Sequence, residues 1–329
     1  MPTAASETTG PTLERAVLET AVPPRSMVVI VNPHAAGVGA RLRRLIVAAL
    51  ASRFDVEAVD TDAPGHATGL AGAAARNGAD VVVTLGGDGT VNEAANGLLG
   101  TGVPLFPLPG GSQNVYAKLL GIPPDIIDAA EHLLGLADRW APRSVDAGRV
   151  NGRLFTFSAG VGLDAAVVAR VDANPERKAR LREVAYIQSA TSVFLREYAI
   201  RPPKLIVQAP GFDPVEGVTV LVQNAETYTF AGARPIEVCR EVTLDSGTLS
   251  AGVLRRTGPL DLATMGARLW FKGLHASDHR HATALEGIHT LHVRRTDGSP
   301  VVVQADGEAL APALDARFDV LPGALTVVA

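Results

Sequence analysis

The run Gly86-Gly87-Asp88-Gly89-Thr90 holds the chain's clearest chemistry. Glycines let a backbone approach an anion closely, and the N–H groups and dipole of a following helix favour negative charge there. Asp88 sits inside that loop, where a bare carboxylate would repel a polyphosphate. A divalent cation between the two removes the conflict, because Mg²⁺ prefers carboxylate and phosphate oxygens. The pattern points to a nucleotide–metal site. It is neither a Walker A loop, since no Gly-Lys-Ser/Thr follows, nor the G-x-G-x-x-G dinucleotide fingerprint. A tight strand-to-helix turn with an Asp cap is the simpler alternative.

Two more loops would stand at the same edge. Asn32-Pro33 opens a small loop containing Gly37 and Gly39, and the Asn32 amide can reach a phosphate or ribose. Pro109-Gly110-Gly111-Ser112-Gln113-Asn114 offers the N–H groups of Gly110 and Gly111 and the Ser112 hydroxyl to an anion. A helix start capped by Ser112 competes with that use. Far along the chain, Asp306 and Glu308 flank Gly307 after an apolar run. Phosphoryl transfer needs a carboxylate to accept the hydroxyl proton, and this segment can supply one. An ordinary Asp-Gly hairpin turn is the competing reading.

Positioning these loops takes a layered α/β domain. Strands are expected at 26–32, 55–60, 80–85 and 105–108, alternating with helices at 40–53, 66–77 and 92–99 and another after Asn114. Such alternation predicts a parallel sheet with helices on both faces, whose carboxyl ends gather Asn32, Asp88 and Gly111. Beyond residue 142 short β-rich runs take over, at 143–149, 153–159, 204–209, 217–223, 241–246, 249–254, 289–295 and 300–305. They predict an antiparallel sandwich or barrel, interrupted by helical segments near 164–200 and 259–273. The domain reading is therefore a disordered arm over 1–25, a nucleotide-binding domain over 26–141 and a β-rich domain over 142–317. A last strand within 318–329 can return to the first domain.

Gly86-Gly87-Asp88-Gly89-Thr90-Val91-Asn92-Glu93 resembles the nucleotide loop of the diacylglycerol kinase, sphingosine kinase and bacterial lipid kinase family. NAD kinases share its Gly-Gly-Asp-Gly-Thr core. Asn32-Pro33, Gly111-Ser112-Gln113-Asn114 and Gly160-Val161-Gly162-Leu163-Asp164-Ala165 match further family segments, as do Asn224, Pro235, Asp245 and the late Asp306-Gly307-Glu308. Val115 and Ser246 depart from the pattern, each standing where the family often has an acid.

The resemblance implies a fold class of α/β plus β: a three-layer, NAD kinase/phosphofructokinase-like domain with a parallel sheet, then an antiparallel β-sandwich, with the active-site cleft between them. It implies ATP and Mg²⁺ as cofactors and a lipid hydroxyl as acceptor. Gly86, Gly87 and Gly89 would hold phosphates and Asp88 would act through the cation. Thr90 and Asn92 would steady the loop or the ribose. Asn32, Glu93, Gly111, Ser112 and Asn114 complete the implied nucleotide-binding set. Asp306 is the implied general base, with Glu308 as metal or water partner. Asp245 is the implied ligand of a structural Mg²⁺, and Asp164 either caps the helix that follows it or faces the cleft.

Composition narrows the classes further. A net charge of −4 and a pI of 6.1 give no case for nucleic-acid binding. Cys239 is the single cysteine, which excludes an intramolecular disulfide and a multi-Cys zinc site. No apolar run approaches the ~20 residues that span a bilayer, so no transmembrane anchor is expected. The first 25 residues, with Glu7 and Glu14, read as neither signal peptide nor anchor. The expected setting is cytoplasmic, with a lipid substrate met by peripheral contact at the inner membrane face. The segment Glu176 to Tyr198, with Arg177, Lys178, Arg180 and Arg182, is one docking candidate and equally a solvated helix face. Two other functions share parts of the pattern, an NAD or other soluble-metabolite kinase and a non-catalytic nucleotide or lipid sensor. The acceptor and the oligomeric state, a homodimer included, stay open.

Overall fold

A computed structural model describes residues 24–35, 39–173, 202–231, 234–256 and 275–329, with 258, 261, 264, 265 and 268 between the last two stretches. The segment 176–198 and nearly all of the expected arm lie outside these residues.

Four apolar runs form the parallel strands β1 (Ser26–Val31), β2 (Asp55–Asp60), β3 (Val81–Gly86) and β4 (Leu105–Pro109). Helices α1 (Ala40–Leu50), α2 (His66–Arg76), α3 (Asp88–Leu98), α4 (Val115–Leu119) and α5 (Ile126–Leu136) connect and follow them. β3 and β4 are buried along their whole length, as strands covered on both faces must be. The strands lie in the order β2-β1-β3-β4. The β1-to-β2 crossover therefore runs one way along the sheet, and the next two run the other way. Right-handed connections then place α1 on one face and α2 and α3 on the opposite face. Consistently, α1 packs with α5 and α2 with α3. The direction reverses between β1 and β3, and open α/β sheets hold their ligands at such a crevice.

The second half is antiparallel. β5 (Arg143–Val150), β6 (Arg153–Phe155) and β7 (Ser158–Gly162) lead into α6 (Leu163–Asp172). Then come β8 (Leu205–Gln208), β9 (Val215–Gly217), β10 (Thr219–Gln223), the hairpin β11 (Thr229–Ala231) and β12 (Arg234–Ile236), and β13 (Leu249–Leu254). The chain closes with β14 (Ala282–Ile288), β15 (Thr290–Arg295), β16 (Val303–Ala305), β17 (Glu308–Ala309) and β18 (Asp315–Val327). One sheet has the order β14-β13-β10-β7-β16-β17. It packs on β5, β8, β15 and β18 through a core that includes Val150, Phe155, Val161, Val222, Leu291, Val293 and Phe318. This is the expected sandwich.

β18 belongs to both halves. Phe318 to Val327 pair antiparallel with β5, across a shift between Leu321 and Leu325, and Val327 also pairs parallel with Leu105 of β4. The parallel strands and half of the sandwich thus form one continuous sheet.

Two sequence expectations change. α3 begins at Asp88 rather than Asn92, which puts Asp88 and Gly89 in its first turn. The run 241–246 is not a strand: Ser246 N–H closes a turn on the Thr243 carbonyl, and Glu241 has φ +57. Asp245-Ser246-Gly247 provides turn chemistry that outweighs the local β propensity.

Candidate active site

Two glycine loops meet at the carboxyl edge of the parallel strands. Gly110 N–H donates to the Gly86 carbonyl at 2.8 Å, drawing the loop after β4 against the loop after β3. A Cβ on Gly111 would stand 2.6 Å from Gly87 Cα, and one on Gly86 would stand 2.6 Å from Thr90 Oγ1. No side chain fits either place. Gly87 is the N-cap of α3 and has no side chain to offer its first N–H groups, so a bound anion is the natural partner for them.

Asn32 stitches the third loop to this one. Its Nδ2 donates to Thr90 Oγ1 at 3.2 Å, and its Oδ1 accepts from His34 N–H. The first of these bonds ties Thr90, in the first turn of α3, to the loop after β1. Asp88, at the start of α3, accepts from Tyr116 N–H at 3.1 Å with Oδ1. Partial withdrawal from water pushes its carboxyl up to about 6, against hydrogen bonds from the Tyr116 and Val115 backbone; nearby Asp306 adds to the rise and Lys118 opposes it.

Several residues assigned to the nucleotide are engaged elsewhere. Glu93 is buried, and its two oxygens accept from Gly65 N–H at 2.7 Å and Ala67 N–H at 3.1 Å. It caps α2, whose N-cap Gly65 offers no side chain. Asn114 folds onto Gly111, accepting from its N–H at 2.8 Å and donating to its carbonyl at 3.0 Å. The N–H groups of Gly110 and Gly111 are therefore spent inside the loops, and the anion-binding part expected of them is corrected on that ground. Ser112 is exposed and does not cap α4, whose N-cap is Asn114. Asn92 is buried and points between the domains, donating from Nδ2 to the Leu154 carbonyl at 2.8 Å and to Asp306 at 2.7 Å. A ribose contact is replaced by a tie across the cleft.

Asp306 and Gly307 both have positive φ, +47 and +79, as the type I′ turn of a two-residue hairpin requires, and they join β16 to β17. The hairpin reading of Asp-Gly is therefore correct. Asp306 is buried, and its carboxylate collects donors from three directions. Oδ2 accepts from Asn92 Nδ2, Thr156 N–H at 2.6 Å and Thr156 Oγ1 at 2.9 Å; Oδ1 accepts from the N–H groups of Phe157 and Ser158, both at 3.1 Å. Burial raises its pKa above the ordinary value, and these donors oppose the rise. Glu308, two residues on, is half-buried and lies on the first turn of α3, where a Cβ on Gly89 would overlap its Oε1. Arg153 reaches its Oε2 at 3.4 Å.

Asp164 does not cap α6. It accepts from Tyr228 OH at 2.6 Å and Gln304 Nε2 at 2.8 Å, while Gln304 Oε1 accepts from Gly307 N–H. This polar chain holds the Asp306-Gly307-Glu308 turn from beneath.

Sequence reasoning passed over Lys118, which lies against the Phe230 ring at 4.6 Å and shares the field of Asp88. Its position just after a glycine loop, in a chain with only four lysines, was the available signal. Arg153 and Thr156 had no motif to mark them.

The residues at Asp88 suit Mg²⁺. Mg²⁺ needs only one or two carboxylates beside phosphate and water oxygens, and a raised, poorly solvated carboxyl is the group a cation relieves. Asp245 is exposed and accepts from Thr243 Oγ1. Among the described residues no three His, Cys, Asp or Glu side chains group to hold an ion. An ion at either place would need ligands of another kind.

A doubly wound sheet with a glycine cradle at its switch point, facing a β-sandwich, defines a two-domain class of protein with a ligand crevice at the strand ends. Residues 26–149 match the diacylglycerol kinase catalytic domain, and residues 157–329 match the YegS C-terminal NAD kinase beta sandwich-like domain. A diacylglycerol kinase of Mycobacterium tuberculosis is 27% identical over 279 residues, covering 83% of this chain and 84% of its own. A probable lipid kinase YegS-like of Pseudomonas aeruginosa is 31% identical over 249 residues, 75% of each chain. The crystal structure of a diacylglycerol kinase from Bacillus anthracis superposes with a TM-score of 0.72 at 25% identity, over 92% of this chain and 96% of that one. The chain belongs to the diacylglycerol kinase-like lipid kinase family.

Proposed function

We propose that this kinase transfers the γ-phosphate of ATP to a hydroxyl group of a lipid acceptor. The observation that carries the reading is the meeting of the first turn of α3 with the Asp306-Gly307-Glu308 turn over Gly89. An anion-binding helix end and the Glu308 carboxylate from a different sheet face one place, with Asp306 buried beside it, as transfer from a phosphate to a hydroxyl requires.

The N–H groups at the start of α3 bind phosphate oxygens, and the bare glycines let them approach. Lys118 contributes positive charge beside Asp88. Asp88 would hold Mg²⁺, which when bound neutralises charge on the phosphates. The sandwich domain brings carboxylates to the acceptor side. A lipid acceptor would be met by peripheral contact with a membrane surface; among the described residues no helix is long and apolar enough to cross one.

Transfer of labelled γ-phosphate from Mg·ATP to lipids in mixed micelles tests this, with diacylglycerol, sphingoid bases and NAD as alternative acceptors. A labelled lipid is the expected product. Label on NAD alone would replace the reading with a soluble-metabolite kinase, and ATP binding without any product would replace it with a sensor.

A further inference from the structure

Lys118 lies where the two halves of the molecule meet. Its helix, α4, is fixed on the first half: Lys118 N–H donates to the Asn114 carbonyl at 3.2 Å, and Tyr116 N–H donates to Asp88 at 3.1 Å. Its ammonium sits 4.6 Å from the ring centroid of Phe230, which belongs to the β11–β12 hairpin of the second half. A cation is drawn to the negative face of an aromatic ring, more strongly where water is kept away. Both residues are half-buried. Burial lowers the Lys118 pKa while the Asp88 charge opposes the fall, and Lys118 in turn lowers that of Asp88. Asp88 stands in the first turn of α3, so the ammonium is held beside the helix end that takes phosphate.

The hairpin that carries Phe230 is itself anchored. β11 and β12 form a two-stranded sheet of their own, and Phe230 packs against the core around the parallel strands. Tyr228 donates its N–H to the Ile236 carbonyl and its OH to Asp164, and it accepts from Gln304, which also holds Gly307. The ring therefore has a fixed place between the glycine loops and the late acidic turn. A lysine side chain is long and mobile, and ordering it when a ligand binds costs affinity. A ring that already holds the ammonium removes much of that cost. Resting on the kinase reading above, we infer that Phe230 is a positioning residue: its ring aims Lys118 at the nucleotide phosphates, so the sandwich domain completes the phosphate site of the parallel-sheet domain. Lys118 supplies the charge, and Phe230 supplies its direction.

A double-mutant cycle on nucleotide affinity in the full chain tests this. Lys118→Met, Phe230→Leu and the pair are titrated calorimetrically with Mg·ATP and with AMP. Phe230→Leu is expected to raise the Kd for Mg·ATP about threefold or more. Lys118→Met should raise it about tenfold or more. In the Lys118→Met background the leucine change should alter Kd by less than about twofold, because the ring then has no ammonium to aim. AMP, which lacks the β- and γ-phosphates, should respond less than Mg·ATP to every change. Phe230→Tyr should keep the wild-type Kd. A ring-fluorinated phenylalanine at position 230 keeps the shape of the side chain and weakens the negative face of the ring. It should raise the Kd for Mg·ATP with melting unchanged. Losses that add in the double variant, an equal loss for AMP, or an unchanged Kd with the fluorinated ring would overturn the inference. Transfer to lipids, measured beside the cycle, separates its failure from that of the kinase reading. A coupled cycle without labelled product upholds the role of Phe230 and makes the protein a sensor. An additive cycle with labelled lipid does the reverse, and a chain that binds no Mg·ATP overturns both.

Discussion

Asn92 Nδ2 and Asp306 Oδ2 lie 2.7 Å apart although 214 positions separate them in the chain. The bond joins the first helix after the glycine loop to the turn that carries the acidic pair. Asn96 supports it, donating to Asn92 Oδ1 at 3.1 Å and accepting from Leu154 N–H at 3.1 Å. The domains are tied at the point where the candidate chemistry sits.

Breaking this tie should cost stability as well as geometry. Asn92→Ala removes a donor from a buried carboxylate and leaves the Leu154 carbonyl short of one, a loss of about 1–3 kcal/mol. Asn92→Asp should cost more, since it sets a second carboxylate against Asp306. Urea unfolding of the two variants beside wild type measures both, and a smaller loss in Asn92→Asp would contradict the contact.

Gly89 should separate activity from folding. Alanine is the better helix former by roughly 0.5–1 kcal/mol, so Gly89→Ala should not weaken α3 itself. Its methyl group would push Glu308 off the helix end. Phosphate transfer should fall at least about tenfold with melting near wild type. Equal loss of both would mean that Gly89 is needed only for packing.

The Gly87–Gly111 contact is expected to be less forgiving. A Cβ on Gly111 meets backbone at 2.6 Å, and the two loops would have to part. Gly111→Ala should lower both melting temperature and nucleotide affinity, by about 1–3 kcal/mol in stability. Gly135→Ala in α5 is the control, because nothing lies within 4 Å of its Cβ position. Calorimetry on the pair, with and without Mg·ATP, distinguishes a crowded loop from general intolerance of glycine replacement.

Asp88 predicts a pH dependence. Its carboxyl is held at about 6, above the ordinary 3.8. Between those values the folded chain keeps a proton that the unfolded chain releases, so stability falls as pH rises through the window and the loss is complete above it. Asp88→Asn keeps an acceptor for Tyr116 N–H and removes the charge. It should exceed wild type by at most about 3 kcal/mol near pH 8, with the gap closing toward pH 4. Urea titrations at both ends check this, and a gap that grows on acidification would count against a raised carboxyl.

The layered half of the fold was legible because β-branched runs ending in glycine loops leave few topologies open. The sandwich was legible from its short alternating runs, apart from 241–246, where three turn-forming residues in a row decide the matter, and from β14, which no expected run covered. At the site, residue types marked the right segments without revealing what each side chain touches. Glu93 and Asn114 bind backbone close at hand, Glu93 at the start of α2 and Asn114 within its own loop. Asn92 and Asp306 bind each other through a contact that exists only after both domains are in place. No local pattern encodes such a partner. Lys118 shows the reverse case, since its value comes from the neighbours that surround it once the helix is placed.

The place of β18 has a consequence for how the chain acquires its structure. β4 borders β3 on one side and, through Leu105, the end of β18 on the other. On a ribosome, β4 emerges long before β18, so the nascent nucleotide domain carries an open strand edge while the whole sandwich is still being synthesised. Open edges invite pairing with other chains, and contacts so distant in sequence close slowly. The two domains should therefore lock in a single late event, with the nucleotide domain least protected from aggregation until its last partner strand arrives.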